Sequence, residues 1–451
     1  MAKVLLIRPN SVLKQMIPPL GLAYLAASLK DSYEVKVIDA LLSRSGSPEV
    51  KEEIFKFRPD FVGITSWHIS AVASHEIAGV VKSFNPGCKV IIGGPYATVS
   101  ARRVLGDKNV DFAVIGEGES VLKRLIEDIV KGEDVSSLNG VALRQDAAFT
   151  LNYPAEYIAN IDEIKFPAWE LFDIESYLGY SKNNFNFYRY RGKRIMPFLT
   201  SRGCPLNCRF CASAFGKNLR YRSIENILQE LKIYLGKYRI EGIDIVDDNF
   251  SFNTERAFEV LDAIAAENIK LDIVFGSGLM TQLMSKEFIH KLKKAGTTSV
   301  IYGIGPVLEK TQNKLNERFD VNKAKEIISH TAGEGIISEG VFGMGYPGED
   351  KKDIRKISRT ARGMKFDSVT FFNGSLGMPA GIREEVFPSE ECLSRPTVRR
   401  EMVRAYLLFY FSPGRIKSIF KIIRSFKHPF RCLTAGLRMV AGLRFRKGGN
   451  V

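Results

Sequence analysis

The chain contains the stretch Thr200-Ser201-Arg202-Gly203-Cys204-Pro205-Leu206-Asn207-Cys208-Arg209-Phe210-Cys211, in which three cysteines stand at C-x3-C-x2-C spacing. Thiolates are soft ligands that suit zinc or an iron–sulfur cluster. Structural zinc normally takes four ligands, but the other cysteines, Cys88, Cys392 and Cys432, are remote in sequence. Three thiolates on a cubane cluster would leave one iron open. The alternatives are a zinc knuckle with a remote ligand or buried structural thiols.

This stretch resembles the cluster loop of the radical S-adenosylmethionine (radical SAM) superfamily, including the aromatic Phe210 before the third cysteine. The resemblance implies that Cys204, Cys208 and Cys211 hold a 4Fe–4S cluster. It implies that the open iron chelates S-adenosylmethionine, whose sulfonium is cleaved by one electron to give a 5′-deoxyadenosyl radical. It also implies an electron-carrier partner of the flavodoxin or ferredoxin type.

Composition indicates a folded, multidomain protein. The chain has 451 residues, of which 45% are hydrophobic, and this suits two or three globular domains. Three of its six cysteines are clustered, so they do not suggest a disulfide framework, and a reducing, cytoplasmic setting is expected. We expect no signal peptide before the first strand and no membrane span, because no apolar run approaches ~20 residues.

The net charge of +15 is concentrated at one end of the chain. From Arg395 onward there are fourteen basic residues and a single acid, Glu401, so this segment carries +13. The rest of the chain is nearly neutral. Binding of nucleic acid by the whole protein is therefore not expected, and the charge is a property of the tail.

Residues 1–145 predict a Rossmann-like, doubly wound domain. Five apolar runs alternate with helical patterns, which is typical of a parallel sheet whose ligands bind at the carboxyl ends of the strands. The predicted strands are Val4–Ile7, Val35–Asp39, Phe61–Thr65, Lys89–Gly94 and Phe112–Gly116. Glycines at those ends let a bulky ligand approach the backbone, and nearby hydroxyls can donate hydrogen bonds.

The order of motifs in these residues is similar to the cobalamin-binding domain that precedes the cluster domain in one radical SAM class. The motifs are Pro19-Leu20-Gly21-Leu22, Val62-Gly63-Ile64-Thr65, Gly93-Gly94 and Gly116-Glu117-Gly118-Glu119. The D-x-H-x-x-G motif, which supplies a lower axial histidine in other cobalamin proteins, is absent. The resemblance implies cobalamin contacts from Gly63, Thr65, Ser66, His68, Gly93, Gly94, Thr98, Gly116, Glu117 and Gly118. For His68, a loop histidine bonded to backbone is the alternative to a group facing the corrin.

Residues 146–195 read as a linker between domains, with a polar and aromatic segment, Ser181–Lys193, that is either a flap or a hairpin. Residues 196–390 predict a partial TIM-type (β/α)6 barrel, the fold of the superfamily, with its active groups at the strand ends. The predicted strands are Met196–Thr200, Gly242–Phe250, Leu271–Phe275, Ser299–Gly303, Glu339–Gly343 and Ser368–Phe372.

Two segments of the predicted barrel resemble the family's S-adenosylmethionine contacts. Asp247-Asp248-Asn249 resembles the segment that accepts hydrogen bonds from the methionine ammonium, and its alternative is a helix cap. Gly343-Met344-Gly345-Tyr346-Pro347-Gly348-Glu349 resembles the loop near the adenosyl group, and its alternative is a plain turn. The resemblance thus implies contacts from Phe210, Asp247, Asp248, Asn249, Gly345 and Glu349.

The chain also departs from the family pattern. The family often has Gly-Ile-Glu-Ser-Gly where this chain has Gly303-Ile304-Gly305-Pro306-Val307, so the acid expected at Gly305 is missing. The family's Pro-Gly-Thr is Pro379-Ala380-Gly381 here, and Gly276-Ser277-Gly278 replaces an arginine after the third strand. These departures predict a substrate pocket unlike that of the commonest members.

Residues 391–451 predict a basic, mostly helical tail. Apolar and aromatic residues recur at helical spacing among lysines and arginines after Arg415. Such helices bind anionic membrane surfaces, but they can also pack on a barrel with a solvated basic face. Peripheral contact with the inner face of a membrane is therefore one of two open interpretations.

As a whole the chain resembles the cobalamin-dependent radical SAM methyltransferases. The resemblance implies methylation of an unactivated carbon in a lipid-like or secondary-metabolite substrate. One alternative is a cobalamin-dependent radical SAM cyclase or rearrangement enzyme without methyl transfer, and another is a non-catalytic, membrane-associated cluster protein. RNA modification is a weaker alternative, because no dedicated RNA-binding domain is visible.

Overall fold

A computed structural model describes residues 1–11, 17–43, 47–145, 148–154, 157–181, 190, 193–209, 211, 214–377, 392–412 and 415. Strands and helices alternate through its first part. The strands are β1 (Lys3–Arg8), β2 (Glu34–Asp39), β3 (Phe61–Thr65), β4 (Lys89–Gly93), β5 (Phe112–Val114), β6 (Val141–Gln145) and β7 (Ala148–Leu151). The helices are α1 (Leu20–Leu29), α2 (Ala40–Ser43), α3 (Ser47–Phe57), α4 (Ala71–Phe84), α5 (Pro95–Leu105) and α6 (Gly118–Lys131).

These strands form one sheet in the order β2-β1-β3-β4-β5-β6-β7. The first five are parallel, which confirms the predicted doubly wound domain. Leu5 and Ile7 of β1 face one apolar cluster while Val4 and Leu6 face another, so both faces of the sheet are covered. The antiparallel β6–β7 hairpin was not predicted, and the expected domain boundary at residue 145 falls inside it.

The segment predicted as a linker is partly built into this first sheet domain. After two 3₁₀ turns, α7 covers Ile174–Ser181. Trp169 is buried, and the Ala168 N–H donates to the Ala23 carbonyl at 3.1 Å. Of the predicted flap Ser181–Lys193, only Ser181, Tyr190 and Lys193 lie within the described residues.

The second sheet contains six parallel strands in the order β15-β14-β13-β12-β11-β8, and this confirms the predicted (β/α)6 partial barrel. Its strands are β8 (Ile195–Phe198), β11 (Gly242–Ile245), β12 (Asp272–Leu279), β13 (Thr297–Ile304), β14 (Ile337–Met344) and β15 (Ser368–Asn373). Its helices are α8 (Ile224–Tyr238), α9 (Thr254–Ala266), α10 (Lys286–Lys294), α11 (Glu309–Leu315), α12 (Val321–Gly333), α13 (Lys351–Gly363) and α14 (Gly374–Gly377).

Between β8 and α8, a short antiparallel pair flanks the cysteine stretch: β9 (Ser201–Arg202) and β10 (Arg220–Tyr221). The chain divides into two compact units, and the dividing lines run through this stretch. Unit 1 comprises Met1–Tyr177, Ser201–Pro205 and Ala212–Asn226. Unit 2 comprises Leu178–Thr200, Leu206–Cys211 and Ile227–Val451.

The C-terminal region begins with helix α15 (Arg395–Tyr410), which covers the edge strand β15. The Tyr406 hydroxyl accepts from the Phe371 N–H at 2.9 Å, and the Tyr410 hydroxyl accepts from the Val369 N–H at 3.2 Å. These hydroxyls satisfy backbone donors that an edge strand would otherwise leave unpaired. The start of the predicted tail therefore packs on the barrel.

Residues 416–451, which carry most of the predicted basic helices, lie outside the described residues, as does Pro379-Ala380-Gly381. Arg415 is described, and its guanidinium donates to the Phe366 and Met364 carbonyls of the barrel. In the part of the chain that the structure describes, no helix is long and apolar enough to cross a membrane.

Replacing Tyr406 and Tyr410 by Phe keeps the rings but removes the two acceptors. We expect the free energy of unfolding of unit 2 to fall by about 1–3 kcal/mol for each hydroxyl, because a buried N–H is left unsatisfied. Urea denaturation followed by circular dichroism measures the change. Leu407→Ala on the same helix is the control, since Leu407 is 51% exposed. Equal effects of the Tyr and Leu407 variants would contradict the assigned role.

Candidate cofactor sites

The first part of the cysteine stretch has a backbone that only glycine suits. Gly203 has a φ of +92°, and a Cβ there would lie 2.2 Å from the Asn218 carbonyl oxygen. The next residue, Cys204, donates its N–H to the Gly216 carbonyl at 3.1 Å. Gly203 thus allows the β9 strand to turn into the loop that carries the first cysteine.

The second part of the stretch is tied to the end of helix α11. The Arg209 N–H donates to the Leu315 carbonyl at 3.1 Å, and the Asn316 side chain donates to the Asn207 carbonyl at 3.2 Å. A tight turn follows, in which the Cys211 N–H donates to the Cys208 carbonyl at 3.1 Å. The backbone on both sides of Cys208 is therefore held within unit 2.

The chemistry of these thiols suits an iron–sulfur cluster. Cys204 and Cys208 are partly exposed, Cys211 is exposed, and none of the described cysteines forms a disulfide. Nevertheless, no three His, Cys, Asp or Glu side chains among the described residues are arranged to hold a metal ion. The structure therefore does not show a preformed three-thiolate site, and the ligand assignment stays a prediction. Phe210 lies outside the described residues.

A buried ion cluster lies beside the first cysteine, inside unit 1. Arg202, only 1% exposed, donates to Glu117 at 2.9 Å and to Glu119 at 2.6 Å. Arg220 donates to both oxygens of Glu117, at 3.0 and 2.8 Å. The Arg202 guanidinium also lies over the Phe215 ring, 4.7 Å from its centroid. Two arginines of the cysteine stretch and its flank thus share the carboxylates of the Gly-Glu-Gly-Glu motif.

This cluster gives Glu117 a role other than the predicted contact with cobalamin. Both carboxylate oxygens are engaged by arginines, and one also accepts from the Ile158 N–H at 2.8 Å. Burial by itself lowers the pKa of Arg202, but the carboxylates of Glu119 and Glu117 outweigh it and raise that pKa above its usual range. The guanidinium therefore stays charged in the interior.

The carboxyl ends of β3, β4 and β5 are joined by hydrogen bonds among predicted cobalamin residues. The Ser66 N–H donates to the Gly93 carbonyl at 2.9 Å. The Thr98 hydroxyl donates to the Gly94 carbonyl at 3.1 Å and accepts from the Gly116 N–H at 3.1 Å. Sequence analysis predicted these residues as ligand contacts, and the structure brings them together at one edge of the sheet.

Three of the predicted glycines are explained by packing within unit 1. A Cβ at Gly63 would lie 2.9 Å from Leu6 Cδ2, and one at Gly118 would lie 2.9 Å from Leu25 Cδ2. Gly94 has a φ of +87°, and a Cβ there would lie 2.9 Å from the Ser66 carbonyl oxygen. These positions keep the strands and loops close together.

The segment after β3 exposes large apolar side chains, which are the kind of groups that would pack against a large ring such as a corrin. Trp67 is 61% exposed, and Ile69 and Val72 are exposed as well. His68 lies between them, with its ring edge-on to Tyr96 and Nε2 at 3.5 Å from the Ser100 hydroxyl. Burial and the nearby Arg103 lower the pKa of His68, which favours the neutral imidazole. His68 thus contacts the side chains of Tyr96 and Ser100, whereas the sequence analysis gave a hydrogen bond to backbone as the alternative to a cobalamin contact.

In unit 2, the predicted acidic segment follows β11, which ends at Ile245 rather than continuing to Phe250. Asp247 is buried and accepts from the Thr200 N–H at 2.7 Å and from the Thr200 hydroxyl at 2.5 Å. Asn249 is buried and donates to the Met280 sulfur at 3.5 Å, whereas Asp248 is exposed. Asp247 thus fastens the end of β8 to the loop after β11.

Glu349 stabilises its own loop from within. Its carboxylate accepts from the Thr311 hydroxyl at 2.8 Å, from the Gly345 N–H at 2.8 Å and from the Tyr346 N–H at 3.2 Å. Burial raises the pKa of Glu349, and these hydrogen bonds oppose that shift. The carboxylate therefore shapes the Gly343–Glu349 loop, and its predicted contact with S-adenosylmethionine stays a prediction.

Two further carboxyl groups at the strand ends were not predicted. Asp244 of β11 accepts from the Tyr190 hydroxyl at 2.7 Å and from the Gly276 N–H at 2.6 Å. Glu317 lies against Gly305, where a Cβ would be 2.6 Å from Glu317 Oε1. Each carboxyl occupies space that a glycine leaves empty. No local sequence pattern marks either residue.

Glu117→Gln tests the buried ion cluster. Loss of this carboxylate leaves two buried guanidinium groups with fewer counter-charges, so we expect the free energy of unfolding to fall by about 3–5 kcal/mol. Thermal and urea unfolding measure it. Glu34→Gln is the control, because Glu34 is exposed and 3.8 Å from Lys3, and such surface pairs contribute ~0–1 kcal/mol. A Glu117→Gln protein as stable as the control would contradict this role.

Two family models match the chain: the B12 binding domain over residues 10–126 and the Radical SAM superfamily over residues 198–361. An uncharacterized methyltransferase of Pyrococcus horikoshii is 28% identical, covering 82% of this chain and 80% of that protein. An anaerobic magnesium-protoporphyrin IX monomethyl ester cyclase of Synechocystis sp. is 25% identical, covering 72% of this chain and 64% of the cyclase.

The same two-domain fold occurs in the solved structure of the radical S-adenosylmethionine methyltransferase TsrM from Kitasatospora setae, with cobalamin and a [4Fe-4S] cluster bound. The match has a TM-score of 0.66 at 20% identity and covers 82% of this chain and 72% of that one. The chain therefore joins a B12-binding domain to a radical SAM domain, as in cobalamin-dependent radical SAM enzymes, and these two domains imply S-adenosylmethionine, a 4Fe–4S cluster and cobalamin as cofactors.

Proposed function

We propose that this enzyme transfers a methyl group to an unactivated carbon of a lipid-like or secondary-metabolite substrate. The observation that carries the proposal is the presence of a B12-binding domain and a radical SAM domain in one chain. When bound, the cluster and S-adenosylmethionine supply radical chemistry, and cobalamin supplies a methyl carrier. The methyltransferase name of the Pyrococcus relative, which covers most of both chains, supports the reaction class.

In this proposal the chain's own residues hold and orient the reactants. Cys204, Cys208 and Cys211 would ligate the cluster. Asp247 and Glu349 keep the loops after β11 and β14 in place through their internal hydrogen bonds. The exposed Asp248, at the carboxyl end of the sheet, is the acid of its segment best placed to meet a cationic ammonium.

The lipid-like character of the substrate is argued from the C-terminal region. Leu407, Leu408 and Phe411 are exposed at the end of α15, and Phe411 is 80% exposed. The nine lysines and arginines that follow Arg415 are accompanied by no acid. Exposed apolar residues next to dense positive charge suit the surface of an anionic bilayer. A substrate taken from that surface would present saturated carbons, which require a radical for methylation.

The second candidate is a cyclization without methyl transfer. It is favoured by the likeness to the Synechocystis cyclase, which acts on a magnesium-protoporphyrin ester according to its name. The two reactions leave different product masses. Methylation adds one CH2 unit, whereas cyclization removes hydrogen or leaves the mass unchanged.

Product mass tests the proposed reaction. Extracts with and without the enzyme should differ by a compound that gains one CH2 unit, and S-adenosylmethionine with a CD3 group should place three deuterium atoms in it. Mass spectrometry of lipids and metabolites measures this. A product that lacks the label, or that has lost hydrogen, would favour the cyclase alternative.

Cys208→Ala tests the ligand assignment. Because two thiolates remain, we expect loss of the visible iron–sulfur absorbance and of 5′-deoxyadenosine formation after anaerobic reconstitution. Cys392→Ala is the control, since Cys392 lies outside the cysteine stretch and forms no disulfide. A Cys208→Ala protein that keeps both signals would exclude Cys208 as a ligand.

Truncation after Arg415 tests the membrane proposal and preserves the contacts of Arg415 with the barrel. The full-length protein should sediment with anionic vesicles at low salt and not with neutral ones, because each basic residue contributes about 1 kcal/mol near such a surface. High salt should weaken the binding. The truncated protein should stay in the supernatant. Equal sedimentation of the two proteins would remove the support for a lipid substrate.

A further inference from the structure

Glu317 supplies a carboxyl group at the place where the sequence lacks one. Gly305 follows the last residue of β13, and the family pattern has an acid there. A Cβ at Gly305 would lie 2.6 Å from Glu317 Oε1 and 3.1 Å from Phe319 Cδ2. The carboxyl of Glu317 therefore occupies the space into which a side chain at residue 305 would extend.

The position of Glu317 is fixed by its loop. Helix α11 ends at Leu315, its C-cap residue Asn316 has a φ of +51°, and the Glu317 N–H donates to the Gln312 carbonyl at 3.0 Å. The Gln312 side chain accepts from the Phe319 N–H at 3.2 Å and donates to the Phe319 carbonyl at 3.1 Å. Glu317 thus lies between Asn316 and Phe319, and hydrogen bonds hold both of these residues in place.

This loop lies next to the segments that carry the predicted cofactor contacts in unit 2. Leu315 and Asn316, the two residues before Glu317, hydrogen bond to the backbone on either side of Cys208. Tyr346 belongs to the Gly343–Glu349 loop. Burial raises the pKa of Tyr346, and the charges of Glu317 and Glu349 raise it further.

The Glu317 carboxyl lacks a partner of its own. Its Oε2 atom is buried without a hydrogen bond, and no ion pair to Glu317 occurs among the described residues. Burial raises the pKa of Glu317 to about 7. Burial is the cause of this shift, and Tyr346, which interacts electrostatically with Glu317, is itself an acid and cannot neutralise a carboxylate. A buried acceptor left unpaired is costly, so its retention points to a ligand that supplies the missing donor.

We propose that Glu317 is an S-adenosylmethionine-binding residue whose carboxyl accepts a hydrogen bond from an N–H or O–H donor of the bound molecule. S-adenosylmethionine offers such donors in its ammonium, ribose hydroxyls and adenine amino group, and its net positive charge also favours a carboxylate. The inference deepens the proposed function only in its use of S-adenosylmethionine. It holds for methyl transfer and for cyclization alike.

Equilibrium binding of S-adenosylmethionine to the anaerobically reconstituted enzyme tests this assignment. Glu317→Gln should raise the dissociation constant at least about tenfold at pH 8, because one charge-assisted hydrogen bond is lost. Glu309→Gln, an exposed acid in the first turn of the same helix α11, is the matched control and should bind as the original protein does. Unchanged affinity in Glu317→Gln would overturn the proposal.

The pH dependence separates a binding role from a structural one. If the donor favours the ionised carboxylate, the affinity of the original protein relative to Glu317→Gln should rise as the pH increases through about 7. A ratio that stays constant between pH 6 and 8 would contradict the proposal. The ratio of the two affinities cancels the part of the S-adenosylmethionine titration that affects both proteins equally.

Stability gives a second, opposite readout. The raised pKa of Glu317 means that its ionised form destabilises the fold, and this penalty builds up as the pH rises from the ordinary pKa of 4.5 to the folded value of about 7. Glu317→Gln should therefore have a higher melting temperature than the original protein at pH 8, and this advantage should shrink at lower pH. A residue kept only for structure would instead lose stability on replacement.

A double variant that moves the acid from residue 317 to residue 305 controls for misfolding of Glu317→Gln. Gly305→Glu alone should clash with Glu317, whereas Gly305→Glu combined with Glu317→Gly opens the space and restores a carboxyl. We expect the double variant to bind S-adenosylmethionine within a few-fold of the original affinity, and its failure to bind while folded would overturn the proposal. The product-mass experiment tests the reaction class, and the binding experiment tests the role of Glu317. An error in one proposal therefore does not change the outcome of the other experiment.

Discussion

The local architecture of the cysteine stretch depends on one buried electrostatic constraint. Arg202 has its guanidinium in the interior of unit 1, where it is held by Glu117 and Glu119, and Arg220 shares Glu117. A buried cation without counter-charges is strongly destabilising, so these groups must be present together. The interaction explains why the Gly-Glu-Gly-Glu motif and the residues before Cys204 belong to one compact unit. The same motif that resembles a ligand loop thus also positions the loop that carries the first cysteine.

A second constraint acts at the carboxyl ends of the barrel strands, where side chains from other segments fill the space beside glycines. The carboxyl of Asp244 fills the space at Gly276, and that of Glu317 fills the space at Gly305. The Tyr346 hydroxyl lies against Gly343 in the same way, 2.3 Å from the position of a Cβ. Interiors are closely packed, so a missing side chain at one position permits a larger one to enter from elsewhere. At two positions where this chain departs from the family pattern, Gly276 and Gly305, a carboxyl from another segment therefore occupies the adjacent space.

The parts of the fold that follow from hydrophobic patterning could be predicted from the sequence, because runs such as Phe61–Thr65 form fully buried parallel strands. The β6–β7 hairpin was missed because its residues are less apolar than those of the parallel strands. It also pairs antiparallel, whereas the prediction was based on alternating parallel strands and helices. The predicted site residues were found by motif, but the role of each depends on partners remote in sequence. Asp247 pairs with Thr200, and no local spacing encodes that contact. Glu317 carries no motif, and only its three-dimensional position beside Gly305 distinguishes it from other acids.

The internal use of carboxylates also affects how the barrel can recognise a ligand. Glu349 accepts three hydrogen bonds within its own region and Asp247 accepts two from Thr200, so part of their acceptor capacity is already used within the fold. Glu317 differs, because one of its oxygens is buried without a partner and its pKa is raised by burial. Satisfied carboxylates make the loops rigid, whereas an unsatisfied one stores an unfavourable energy that a ligand can relieve. Under our proposal, the unpaired oxygen of Glu317 is thus an acceptor that a bound molecule would satisfy.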